Sequence, residues 1–133
     1  QNFDVLAVDA FSSDAIPVHL ITREALAVYL DHVKADGIVA FHVSNRFLDL
    51  VPVVARLARE EGAHAVLVSD EPPQGDKSLR SRSDWMLVSR SKAALEHPVI
   101  REAGAAVPED RPDWRTWTDD YSNLVQIFKP RPE

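Results

Sequence analysis

The stretch "VDAFSSDAIP", Val8 to Pro17, sets two acids around two hydroxyls. Asp9 closes an apolar run, and Ser12, Ser13 and Asp14 follow before Pro17. A carboxylate can hold a cation or accept a proton, and a hydroxyl can donate or accept a hydrogen bond. Such groups mark a ligand site when they share a cleft. The structural alternative is that Asp9 bonds backbone amides and Asp14 begins a turn. A linker would more readily use glycine, and a tight turn would take fewer residues.

Position along the chain favours the ligand reading. "FDVLAVD" (Phe3–Asp9) carries the unbroken run Val5 to Val8, as expected of a parallel strand covered on both faces. Thr22 can cap a helix whose apolar residues Leu26, Tyr29, Leu30 and Val33 recur at helical spacing, and Gly37 suits its end. "IVAFHV" (Ile38–Val43) reads as a second strand, completing a β-α-β unit with a right-handed crossover and parallel strands. In open α/β sheets, ligands bind beyond the carboxyl ends of the strands. Asp9 ends the first strand and Ser44–Asn45 the second, so both should face one crevice. The loop after Asp9 runs on to Ile21, about twice the ~2–6 residues usual for such connections.

Farther along, Asp49 suits the cap of a helix with Pro52 in its first turn, Leu50, Val53, Val54 and Leu57 as its buried stripe, and Gly62 as its stop. "HAVLVSD" (His64–Asp70) and "DWMLVSR" (Asp84–Arg90) read as two more strands. No helix separates them, so they can pair antiparallel across "EPPQGDKSLRSRS", where Lys77, Arg80 and Arg82 read as a solvated face. Ser91 can cap a short helix that Pro98 interrupts. "TDDYSNLVQIF" places Tyr121, Leu124, Val125 and Phe128 on one helical face, with Asp119 and Asp120 at its N-terminus, where capping is their ordinary role. The chain therefore reads as one α/β domain spanning residues 1–133: parallel strands followed by an antiparallel C-terminal hairpin.

Other chemistries lack their residues. His42 lies inside a strand and reads as a core histidine. His19, His32, His64 and His97 show no metal-ligand spacing, and no metal is expected. The chain has no cysteine, which excludes disulfides and thiolate zinc sites, and its four glycines stand apart, without a nucleotide fingerprint or phosphate loop. The serines lack a nucleophile-elbow motif. A formal charge of −6, from 21 acids against 15 bases, argues against a nucleic-acid partner and is compatible with a cationic ligand. No apolar run approaches the ~20 residues that span a bilayer. The chain opens directly on "QNFDVLAVDAF" with no signal peptide ahead of the strand, which predicts further residues upstream in the natural protein.

"FDVLAVDAFSSDAIPVHLITREAL", the later "GIVAFHVSN" and the late "WTDDYSNL" together resemble the polyamine aminopropyltransferases, the spermidine synthase-like proteins. The likeness runs over nearly the whole chain and looks closest to a bacterial branch in which such a domain is fused behind membrane helices. The resemblance implies a class I methyltransferase-type, Rossmann-like fold. It also implies transfer of an aminopropyl group from decarboxylated S-adenosylmethionine to a diamine, in a cytoplasmic domain whose parent is membrane-anchored in that branch. On this resemblance Asp9 matches the catalytic acid. Ser12, Ser13, Asp14, Ser44, Asn45, Asp119, Asp120 and Tyr121 become candidate substrate-binding residues.

The chain departs from the family pattern in a longer loop that lacks a glycine-proline end. It lacks the glycine-rich turn and second-strand acid that hold the nucleoside. The chain would then begin at the fourth strand of the full sheet, carry the amine side of the site without a cofactor cradle, and be inactive alone. Two alternatives stand beside this reading. One is an S-adenosylmethionine-dependent methyltransferase-like domain; the other is a non-catalytic polyamine-binding or assembly module. A central strand lacking one neighbour invites pairing, so a homodimer through Phe3–Asp9 is expected.

Overall fold

The computed structural model describes residues 2–9, 18–44, 49–70, 83–108, 114–123 and 127. Among them the chain forms β1 (Phe3–Val8), a single 3-10 turn (Val18–Leu20), α1 (Arg23–Asp31) and β2 (Val33–His42). Then come α2 (Val51–Glu60), β3 (His64–Asp70), β4 (Ser83–Ser89), α3 (Lys92–Leu95) and α4 (Pro98–Glu102). No helix among the described residues is long and apolar enough to cross a membrane.

The four strands form one open sheet in the order β1-β2-β4-β3. β1 and β2 run parallel, as a strand-helix-strand unit requires, while β4 lies antiparallel to both β2 and β3. The expected hairpin is present, and its second strand is inserted beside β2 instead of at the rim. The fold is therefore a mixed α/β sheet, partly parallel and partly antiparallel.

Strand alternation explains where the core lies. Val39, Phe41 and Val43 share one face of β2, and their ladder partners Leu6, Val8, Met86 and Val88 share it. These side chains pack in one cluster with Leu26 and Leu30 of α1 and with Val53, Val54 and Leu57 of α2. Full burial of each such side chain contributes ~1.5–3 kcal/mol. The opposite face, with Val5, Ala7 and Ile38, stands outside that cluster. Leu95 of α3 and Ala40 of β2 are buried, also outside it.

Local signals set most boundaries. Thr22 caps α1 by accepting from the Ala25 amide, and Ser91 caps α3 by accepting from the Ala94 amide. Pro52 sits in the first turn of α2 and Pro98 opens α4, positions whose missing N–H costs nothing. Asp49 Oδ1 accepts from the Val51 amide at 3.3 Å. Gly62 takes a φ of 68° just after α2, the left-handed conformation that ends helices.

Two expectations are corrected. The helix over α1 ends at Asp31, so Val33 belongs to β2, and Gly37 lies inside that strand. The ladder is interrupted there: Phe3 pairs with Val33, and pairing resumes at Val5 with Ile38. The bulged residues between must fold tightly, and glycine permits it. The terminal segment is the second correction. Thr118 and Tyr121 exchange both backbone hydrogen bonds, at 2.9 and 3.1 Å, which closes a turn over Asp119 and Asp120 where a helix start was expected. Leu124, Val125 and Phe128 of that expected helix lie outside the described residues.

Candidate functional site

β1 and β2 end side by side. Their parallel register pairs Val8 with Phe41, so the next residue along each strand, Asp9 and His42, meet at the carboxyl edge. His42 Nδ1 lies 2.9 Å from Asp9 Oδ1. An ionised carboxylate only accepts, so Nδ1–H is the donor, and in the neutral ring Nε2 is left as the acceptor. His42 sits directly across the ladder from Trp85. The two rings stack with centroids 4.7 Å apart and planes 28° from parallel, which fixes the imidazole plane.

The pair is asymmetric in exposure: the His42 side chain is 17% exposed and that of Asp9 57%. The imidazole thus anchors one carboxylate oxygen while the acid stays open to solvent. Such a group can bind a cation, orient it and take a proton from it. His42 was expected to be a core histidine, and the structure corrects that. It occupies the sheet face opposite Phe41 and Val43, where its partner is Asp9. The sequence offered only the expectation that the two strands end side by side; the register that sets His42 beside Asp9 comes from the structure.

Ser44 stands two residues beyond His42, and its hydroxyl accepts from the Asp84 amide at 2.6 Å, extending the β2–β4 ladder past the strand end. It has a backbone-holding role at the right edge. Ser12, Ser13, Asp14 and Asn45 lie outside the described residues.

Asp119 is tied to the start of α1. Thr22 Oγ1 donates to Asp119 Oδ1 at 2.8 Å, and the Asp119 amide donates to Glu24 Oε1 at 3.1 Å. The Arg23 amide donates to the Trp117 carbonyl at 2.8 Å, so the whole segment is docked there. Acids near a helix N-terminus are favoured by its dipole, and Asp119 stands beside the capping residue Thr22 of α1. α1 connects two parallel strands and must run opposite to them, so its N-terminus lies at the same end of the fold as Asp9. Asp120 is exposed in the turn, its amide donating to Thr118 Oγ1 at 3.2 Å. Tyr121 packs against the core with the Arg115 guanidinium 4.3 Å from its ring centre. The structure therefore joins Asp9 to His42 and Trp85, and gives Asp119 and Tyr121 packing partners of their own.

Among the described residues, no three metal-ligating side chains come together. The described residues also offer no glycine-rich turn that would cradle a nucleoside, so the donor of an aminopropyl group has no residues assigned to it here. No family profile matches the chain, and no curated protein matches it in sequence.

Proposed function

We propose that this chain is the amine-binding portion of a spermidine synthase-like aminopropyltransferase, with Asp9 as the acid that holds a small cationic diamine. A single observation carries the reading. The Asp9 carboxylate stands open at the carboxyl edge of a parallel strand pair with one oxygen held by His42. An alkylamine is mostly protonated at neutral pH, given a reference pKa of ~10.4 for the lysine ammonium, and an ammonium has no lone pair with which to attack. Asp9 would bind that ammonium and take one of its protons. His42, donating from Nδ1, stabilises the anion and orients it, as a positioning residue.

The topology supports the same reading. A parallel pair leading into an antiparallel hairpin is the arrangement expected of the C-terminal half of a methyltransferase-type, Rossmann-like sheet. The net charge of −6 suits a cationic ligand. The remaining machinery, the nucleoside cradle above all, belongs to the longer parent protein in this proposal, and the chain alone binds amine without turning it over.

Calorimetry on this chain tests the proposal. Putrescine and spermidine should bind, 1,4-butanediol should not, and Asp9→Asn should weaken the diamines by about tenfold or more, about 1.4 kcal/mol. Equal binding by Asp9→Asn, or by the uncharged diol, overturns the assignment. In the parent, turnover with decarboxylated S-adenosylmethionine favours an aminopropyltransferase. Turnover with ordinary S-adenosylmethionine alone favours a methyltransferase, and diamine binding without either favours a sensing module.

A further inference from the structure

A concavity lies at the end of the sheet opposite Asp9. β3 is antiparallel to β4, which is antiparallel to β2, so β3 runs in the same direction as β1 and β2. His64, which opens β3, and Lys92, which follows β4, are therefore remote from the strand ends that carry Asp9 and His42. A cavity of about 420 Å³ opens there between the end of α2, the start of β3 and α3. That volume falls within the ~300–1,000 Å³ typical of small-molecule sites.

Its walls are small and apolar. Ala55 and Ala58 of α2 face Ala63 and Ala65, and Leu95 closes the α3 side. α2 turns its large apolar side chains, Val53, Val54 and Leu57, into the main core, and its apolar contribution to this flank is Ala55 and Ala58. The cavity exists because four methyl groups stand where larger residues would fill it. Its ionisable lining runs against the charge of the molecule. Among the described lining residues, Arg59 and Lys92 contribute two cations and Glu96 one anion, in a chain of net charge −6.

We infer that this cavity binds a small amphipathic carboxylate, its hydrocarbon part against the alanine walls and its anionic head between Arg59 and Lys92. An apolar pocket with a few convergent polar groups at its mouth is the general form of a small-molecule site. The cations select the sign of the ligand's charge, and Glu96 disfavours a second negative group on it. The assignment is independent of Asp9 and of the amine reading.

Chemical-shift mapping on this chain, with octanoate, octylammonium and octanol as probes, tests it. Octanoate should shift amides of Ala58, Ala65 and Leu95 in a saturable way, and octylammonium should bind about tenfold more weakly or worse. Ala58→Phe, which fills the cavity, should abolish octanoate binding. Lys92→Glu, an exposed change that leaves the walls intact, should weaken it by about tenfold even if the cavity-filling variant proves unfolded. Asp9→Asn should leave it unchanged. Equal affinity for octanoate and octylammonium, shifts confined to other surfaces, or octanoate binding unaltered by Lys92→Glu would each overturn the inference.

Discussion

Tyr29 shows how one side chain can tie a loop, a helix and the sheet together. Its hydroxyl donates to the Leu20 carbonyl at 3.0 Å, and its ring tilts against Phe41 with centroids 5.9 Å apart. Burial disfavours the phenolate and raises its pKa above the usual 10.0. A group whose folded pKa is raised adds stability that is complete below the unfolded value and is lost as pH climbs through the folded one. Stability should therefore fall above about pH 10. Tyr29→Phe should cost about 0.5–1.5 kcal/mol near neutral pH through the lost hydrogen bond, and should flatten the alkaline decline. Urea titrations of both proteins at pH 7 and near pH 11 check this. An unchanged alkaline slope in the variant would remove Tyr29 as its cause. At this same level Asp9 was readable, because an acid ending an apolar run is conspicuous. The partner that holds it was not, since a histidine inside "IVAFHV" looks like any core residue until the parallel register places it beside Asp9.

Among the elements, β2 is the one whose sequence misleads. Val33 continues the helical spacing of Leu26, Tyr29 and Leu30, yet it pairs with Phe3 in the sheet. His32 ends α1 instead, its amide bonding to the Tyr29 carbonyl at 3.1 Å. The bulge that follows depends on Gly37. A Cβ there would stand 2.7 Å from Val33 Cβ and 2.9 Å from the Lys34 nitrogen, and the latter is backbone that cannot simply rotate away. Gly37→Ala should therefore destabilise the domain by about 1–3 kcal/mol without abolishing the fold. A chemical-denaturation midpoint equal to that of the parent chain would show that the bulge accommodates a methyl group. The tail misleads in a different way. Helical spacing was expected to begin at the two acids of "TDDYSNLVQIF", but over Thr118–Tyr121 the chain forms a turn in which Asp119 accepts from Thr22. Tertiary hydrogen bonds outweigh a local propensity worth only tenths of a kcal/mol per residue.

In the whole molecule, the two sheet edges are treated differently. β3 carries one bridge on its outer edge, where Leu67 and Ala106 exchange both backbone hydrogen bonds at 2.9 Å. No described residue pairs with the outer edge of β1, whose Phe3 and Val5 are 42% and 57% exposed. An open apolar edge strand is a template for pairing. We propose that two copies of this chain pair through β1, antiparallel across a two-fold axis that extends the sheet. Sedimentation should show a dimer that strengthens with concentration, and Val5→Lys should return it to a monomer. A chain that remains monomeric at high concentration would refute the pairing.

Much of this architecture followed from the sequence alone. The apolar runs, the capping threonine and serine, the placed prolines and the acid that closes the first run located the strands, most helix starts and the position of Asp9, because those signals act over a few neighbouring residues. Tertiary structure decided what depends on neighbours distant in the chain. It inserted β4 beside β2, bound Asp9 to His42 and stacked Trp85 on that ring. It also turned Asp119 toward Thr22 and left an alanine-lined cavity behind α2. Pairing register and packing are collective outcomes of burial and hydrogen-bond satisfaction, and no local pattern encodes them singly.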